Sequence, residues 1–185
     1  MYIAMSTELP SVAEGKLNYP ARVTIVASTY NERYTSALLE NCLAELREYS
    51  DRININIVRV PGAYEVPLMV KRAIVKPANG EQPDAVIALG VILRGSTAHA
   101  DLIGEAITRQ LLSISCDTLI PVIHEVLLLD DEQQAFARCI ASSLNRGREA
   151  ARAAICMLNL LEEAGDLQSM MLRTGKINPL GSLYH

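Results

Sequence analysis

The residues best suited to chemistry in this sequence stand close together, in the stretch GVILRGSTAHAD from Gly90 to Asp101. The run Ala85 to Leu93 is apolar and a helical pattern begins just after Thr97, so the stretch is a strand-to-helix turn. At such a turn the free backbone N–H groups of the first helical residues attract an anion. Gly95 and Ser96 keep those amides open, and the Thr97 hydroxyl adds a donor. His99 is one of only three histidines, the side-chain type best suited to giving and taking protons in catalysis. A lone histidine is more often structural, but this one stands beside an anion cradle. The chemistry implied is proton transfer on a phosphorylated small molecule.

Such a turn needs a frame, and the chain supplies alternating strand and helix patterns. Arg22 to Ala27 reads as a first strand, and Asn31 to Tyr49 as a helix whose Leu38, Leu39, Cys42, Leu43 and Leu46 recur at three and four. Ile53 to Val60 is a second strand, broken by Pro61 and Gly62 before a helix over Tyr64 to Val75. After a polar connection, Lys76 to Asp84, come a third strand (Ala85 to Leu93), a third helix (Ala98 to Cys116) and a fourth strand (Ile120 to Leu127). Two helices, Asp131 to Ser142 and Asn145 to Ala164, complete the pattern. Near-continuous apolar strands separated by helices imply a parallel sheet covered on both faces. The expected fold is α/β: a three-layer αβα sandwich, flavodoxin-like, around a four-stranded parallel sheet. Ligands in that architecture sit beyond the carboxyl ends of the strands, here Ser28 to Asn31, Pro61 to Glu65, Leu93 to His99 and Leu127 to Asp131. One domain is expected over residues 21–164. The extensions at 1–20 and 165–185 are expected to order only against a neighbour.

Composition narrows the function classes. With a net charge of −4 and scattered basic residues, the chain has no electrostatic footprint for nucleic acid. Its apolar runs are far shorter than a membrane span, and the N-terminus lacks a basic-then-apolar leader, so no membrane partner and a cytoplasmic location are expected. The four cysteines lie far apart without a CxxC pair, which implies buried reduced thiols and no metal site.

Read together, STYNERYT at 28–35, VPGAYEVPL at 60–68, DAVIALGVILRGSTAHAD at 84–101, PVI at 121–123 and NRGREAA at 145–151 resemble the lumazine synthase family, in order and with matching gaps over residues 22–163. The resemblance implies condensation of 5-amino-6-ribitylamino-uracil with 3,4-dihydroxy-2-butanone 4-phosphate to 6,7-dimethyl-8-ribityllumazine, the penultimate step of riboflavin biosynthesis. It implies small-molecule substrates, no cofactor, and a homo-oligomer built from pentamers. By the same resemblance His99 is the catalytic residue, with Asp101 or Glu149 to orient it. Tyr30, Asn31, Ala63, Tyr64, Glu65, Ile92, Leu93 and His124 are implied to bind the pyrimidine and ribityl groups. Ser96, Thr97 and Arg138 are implied to hold the phosphate, with Arg138 reaching it from the adjacent subunit. Arg94 reads as a structural or interface salt bridge.

The chain also departs from the family pattern. His99 is flanked by Ala98 and Ala100 in place of Pro and a large aromatic; His124 and Glu125 replace an apolar residue and a glycine; and Cys139 to Ser142 replace an Ala-Gly-Thr-Lys run. An alternative reading follows, a catalytically impaired paralogue that binds a flavin or ribityl compound. Retained Glu65, Thr97, His99 and Arg138 weigh against it. A flavodoxin-like electron carrier is disfavoured too, because Ser28 to Asn31 is not a dense hydroxyl and glycine loop.

Overall fold

The computed structural model describes residue 17, residues 19–78 and residues 80–173, with side chains described as far as residue 165. Strands β1 (Ala21–Ser28), β2 (Ile53–Val60), β3 (Ala85–Leu93) and β4 (Val122–Leu129) form one sheet in the order β2-β1-β3-β4. All three pairings are parallel: Ser28 stands beside Val60, Ala27 beside Leu89, and Leu93 beside Leu129. Every carboxyl end therefore emerges at the same edge.

Helices α1 (Glu32–Tyr49) and α5 (Arg146–Arg173) cover one face, where Leu38, Cys42 and Leu46 meet Val23, Ile25, Ile87, Leu89, Ala154 and Ile155. Helices α2 (Val66–Val75) and α3 (His99–Thr118) cover the other, through Val70, Ile74, Ile107, Leu111 and Ile114 against Val26, Val86 and Ala88. The central strand β3 is buried from Ala85 to Val91, as its unbroken apolar run requires. Its valine, isoleucine and leucine side chains each contribute roughly 1.5–3 kcal/mol when fully buried. The expected αβα sandwich is the fold observed.

Several boundaries differ from the sequence reading. Helix α3 runs to Thr118 and closes on Leu119 in the left-handed region, φ 57°, so β4 starts at Val122 instead of Ile120. A leucine there carries no C-cap signal, since glycine or asparagine is usual. The helix expected over Asp131 to Ser142 is a short turn, α4 (Glu132–Ala135), continued as a π-turn over Phe136–Ile140. The Ala141 N–H donates to the Phe136 carbonyl, and buried Asn145 donates through Nδ2 to the Cys139 carbonyl at 2.7 Å. Helix α5 continues past Ala164 to Arg173. Most of the two terminal extensions lies outside the described residues, but Leu17 is buried in the core and the Tyr19 hydroxyl donates to the Leu158 carbonyl, so this part packs on its own chain. Cys42 and Cys139 are buried as expected, whereas Cys156 is half-buried and Cys116 exposed. Cys116 falls off the Ile107, Leu111, Ile114 stripe of α3.

The pairing of α1 with α5 depends on a close backbone approach. The carboxylate of Glu45, 4% exposed, accepts from Arg152 Nε at 2.7 Å, and Asn41 Oδ1 accepts from Arg148 Nε at 3.2 Å. A Cβ added at Gly147 would sit 2.2 Å from the Leu38 carbonyl oxygen, a collision with backbone that no side-chain rotation relieves. Gly→Ala within a helix ordinarily stabilises by about 0.5–1 kcal/mol, but here the clash dominates. Gly147→Ala is expected to destabilise the chain by about 3 kcal/mol, a fall in Tm of roughly 10 °C. Thermal melts check this, and an unchanged or raised Tm would show that the two helices tolerate separation.

Candidate active site

The ends of β1, β2 and β3 enclose a cleft of about 630 Å³, within the range of small-molecule sites. Tyr30 and Asn31 come from β1, Gly62, Ala63 and Tyr64 follow β2, and Val91, Ile92 and Leu93 end β3. Gly95, Thr97, His99, Ala100 and Ile103 close the remaining side. The geometry begins with the turn after β1. Pairing continues past the strand as Thr29 N–H donates to the Val60 carbonyl and Tyr30 N–H to the Pro61 carbonyl, at 2.8 and 2.9 Å. Asn31 then takes φ 56°, a left-handed conformation that asparagine tolerates better than most residues. Its Nδ2 donates to the Val91 carbonyl at 2.9 Å, tying the first turn to the end of β3. Tyr30 is left 72% exposed over the cleft, and Tyr64 67% exposed across from it.

Glu65 stands outside the cleft lining. Its Oε2 accepts from Gly62 N–H at 2.9 Å, which closes the turn before α2 and presents Ala63 and Tyr64. Ser96 also stands outside the lining and is exposed, while Gly95 and Thr97 face the cleft. His99 opens α3 and is exposed at the cleft wall; its ring makes no hydrogen bond among the described residues. Neither carboxylate expected to orient it does so. Asp101 Oδ1 accepts from Arg94 at 2.5 Å, and Glu149 pairs with Arg146. Ile103 went unnamed in the sequence reading and Ala100 was noted only as a departure beside His99, although the turn of helix that follows His99 was the signal for both.

His124 and Arg138 lie away from this cleft. His124 Nδ1 accepts from Val126 N–H at 3.1 Å, so the ring proton belongs on Nε2, which donates to Thr108 Oγ1 at 2.8 Å. The Thr108 hydroxyl in turn donates to the Gly104 carbonyl. Burial lowers the imidazole pKa, in keeping with this neutral tautomer. Arg138, on the π-turn, is half-buried and makes no hydrogen bond or ion pair among the described residues. Among those residues no His, Cys, Asp and Glu cluster could hold a metal ion, and no helix is long and apolar enough to cross a membrane.

A family model described as 6,7-dimethyl-8-ribityllumazine synthase matches residues 20–162. A curated relative named 6,7-dimethyl-8-ribityllumazine synthase, from Protochlamydia amoebophila (strain UWE25), is 38% identical over 158 residues, covering 84% of this chain and 90% of its own. Another of that name, from Clostridium kluyveri (strain ATCC 8527), is 40% identical over 154 residues, covering 82% of this chain and 97% of its own.

One group outside the cleft was noted in the sequence only as a departure, without its burial: Glu125, mid-way along β4. It lies between Ile123 and Leu127, which pack against the core on the α1 and α5 face. Burial pushes its carboxyl up to about 8, against the attraction of Arg146, with Glu149 raising it further and Arg138 lowering it. The thiols of Cys42 and Cys139, both pushed up to about 12 by burial and then by Glu125, are inert. A charge inside the run PVIHEVLLL was the available signal. Because the folded-state pKa exceeds the ordinary carboxyl value of 4.5, the folded protein keeps a proton that the unfolded chain releases. Stability therefore falls as pH rises from about 4.5 to about 8. Glu125→Gln should raise Tm over the parent at about pH 8.5, the gap closing towards about pH 5. Melting curves at both values check this, and a pH-independent gap would assign Glu125 a packing role only.

Proposed function

This chain belongs to the 6,7-dimethyl-8-ribityllumazine synthase family, and from that premise we propose how its cleft condenses 5-amino-6-ribitylamino-uracil with 3,4-dihydroxy-2-butanone 4-phosphate to 6,7-dimethyl-8-ribityllumazine, the penultimate step of riboflavin biosynthesis. One observation supports the assignment of roles above others: an aromatic ring, the small-residue turn of Gly95 and Thr97 and a histidine line a single cleft. The Tyr30 ring stacks on the pyrimidine. Backbone groups at Asn31, Ala63, Ile92 and Leu93 bind the edges of the ring and ribityl chain, and Tyr64 flanks the ribityl chain. Glu65 acts indirectly, by shaping the turn that presents Ala63 and Tyr64.

The phosphate docks on the amides of Gly95 to Thr97, with the Thr97 hydroxyl as a further donor; Ser96, whose side chain is outside the lining, contributes through its backbone N–H. Its negative charge is favoured there by the start of α3. The pyrimidine's amine attacks the ketone, water leaves to give an imine, phosphate is eliminated, and a second dehydration closes the new ring. Each step moves a proton, and His99 beside the phosphate turn is the carrier. Holding both substrates in one cleft removes much of the entropic barrier to a bimolecular reaction. The compartment proposed is the cytoplasm, in keeping with four unpaired cysteines.

The assembly proposed is a homo-oligomer built from pentamers, in which Arg138 completes the phosphate site of an adjacent subunit and His124 borders its pyrimidine pocket. Two features support shared sites. Arg138 lies outside its own chain's cleft, and α3 leaves Leu102 and Leu112 each 65% exposed.

The decisive experiment follows absorbance after the two substrates are mixed, with and without protein. Lumazine formation well above the protein-free rate is expected, and His99→Ala should slow turnover by about tenfold to a hundredfold with fold and assembly intact. No acceleration by the parent would overturn the assignment; unchanged turnover in the variant would remove His99 from the mechanism. Arg138→Ala should raise KM for the butanone phosphate about tenfold while that of the pyrimidine holds. Sedimentation should give a mass several-fold above the 20.2 kDa chain, and a monomer would refute the shared site.

A further inference from the structure

Arg94 introduces the phosphate turn, yet its guanidinium lies outside the cleft lining. Its NH2 group meets Asp101 Oδ1 in the first turn of α3, and its NH1 group meets Asp130 Oδ1 beyond β4, both at 2.5 Å. Its own N–H donates to the Leu129 carbonyl at 2.8 Å. One side chain thus anchors the turn at its start and, through Asp101, at its end. The connection continues towards α4: Asp130 Oδ2 accepts from Gln134 Nε2 at 2.9 Å, and Asp130 N–H donates to Gln134 Oε1 at 3.0 Å. Asp131 Oδ1 accepts from Gln134 N–H at 2.8 Å, capping the short helix whose continuation carries Arg138.

We propose that Arg94 is a positioning residue for the phosphate subsite, a clamp between Asp101 and Asp130 that holds the Gly95–Ala98 turn, with its amides, against the segment bearing Arg138. Two carboxylates on one guanidinium leave the trio with a net negative charge, so Arg94 does not serve as a direct anion ligand. Its planar fork suits it to bridge two partners, whereas a lysine ammonium would favour one at a time. The turn between the anchors contains exposed, small residues, and neither the Ser96 nor the Thr97 hydroxyl makes a hydrogen bond among the described residues, so little else fixes it. This inference rests on the functional reading above for its substrate, and on the hydrogen bonds alone for its geometry.

Asp130 separates the clamp from the alternatives because it is not part of the cleft lining. Binding of inorganic phosphate would be measured by calorimetry, and KM for both substrates by absorbance, in the parent, Arg94→Ala, Arg94→Lys and Asp130→Ala. The clamp predicts that Arg94→Ala and Asp130→Ala both weaken phosphate binding and raise KM for the butanone phosphate, by about tenfold, with KM for the pyrimidine and kcat within about twofold. Arg94→Lys should recover part of the loss. If Asp130→Ala leaves phosphate binding unchanged while Arg94→Ala weakens it, Arg94 is itself the ligand and the clamp is wrong. Equal losses for both substrates would likewise overturn it in favour of a general structural role. If the parent binds phosphate but forms no lumazine, the functional reading fails while the phosphate comparison still decides the clamp; a parent that binds no phosphate overturns both.

Discussion

Parallel strand pairing is the constraint on which this molecule depends. With β2, β1, β3 and β4 running the same way, every connection must return over a face of the sheet, and every carboxyl end must finish at one edge. Burial of β3 between the two helical layers fixes that edge as a rigid rim. Tyr30, Ala63, Ile92 and His99 belong to different segments, yet they share a cleft because their strands share a direction. The rim is then locked by short polar links, above all Asn31 to the Val91 carbonyl and Glu65 to the Gly62 N–H.

Edge strand β4 carries polarity that an interior strand would not tolerate. His124 faces α3 and Glu125 the opposite layer, because neighbouring residues of a strand point to opposite faces. Burial favours the neutral form of both, lowering the pKa of the imidazole and raising that of the carboxyl. The histidine is compensated by Val126 and Thr108. For Glu125 the compensation is electrostatic, from Arg146 and Arg138, and smaller than the cost of burial.

The two sides of the proposed phosphate site are built differently. The turn after β3 offers backbone amides and is tied down by an arginine shared between carboxylates. Arg138 extends from a π-turn, a departure from regular helix that is often found at functional sites. Asn145, fully buried, satisfies carbonyls at the end of that turn and caps α5 by accepting from Gly147 N–H at 2.9 Å. The same few residues therefore join the layer packing of α1 and α5 to the placement of Arg138.

Much of the frame was legible in the chain itself. Apolar runs such as Ala85 to Leu93 and the repeat of Leu38, Cys42 and Leu46 are local patterns, and they specify elements, their order and hence a parallel sandwich. The turns at Ser28 to Asn31, Pro61 to Glu65 and Leu93 to His99 were likewise marked by residue type, and their blocks together indicated the family. Apart from the salt-bridging role of Arg94, direction and partnership of side chains were not legible. Asp101 looked placed to orient His99, but it turns to Arg94; Glu65 looked available to a ligand, but it closes its own turn. The left-handed Leu119, the π-turn after α4 and the raised pKa of Glu125 depend on partners brought together through space. Periodicity records which face of an element is buried, whereas hydrogen bonding and desolvation depend on what lies opposite that face, and only the packed tertiary structure decides this.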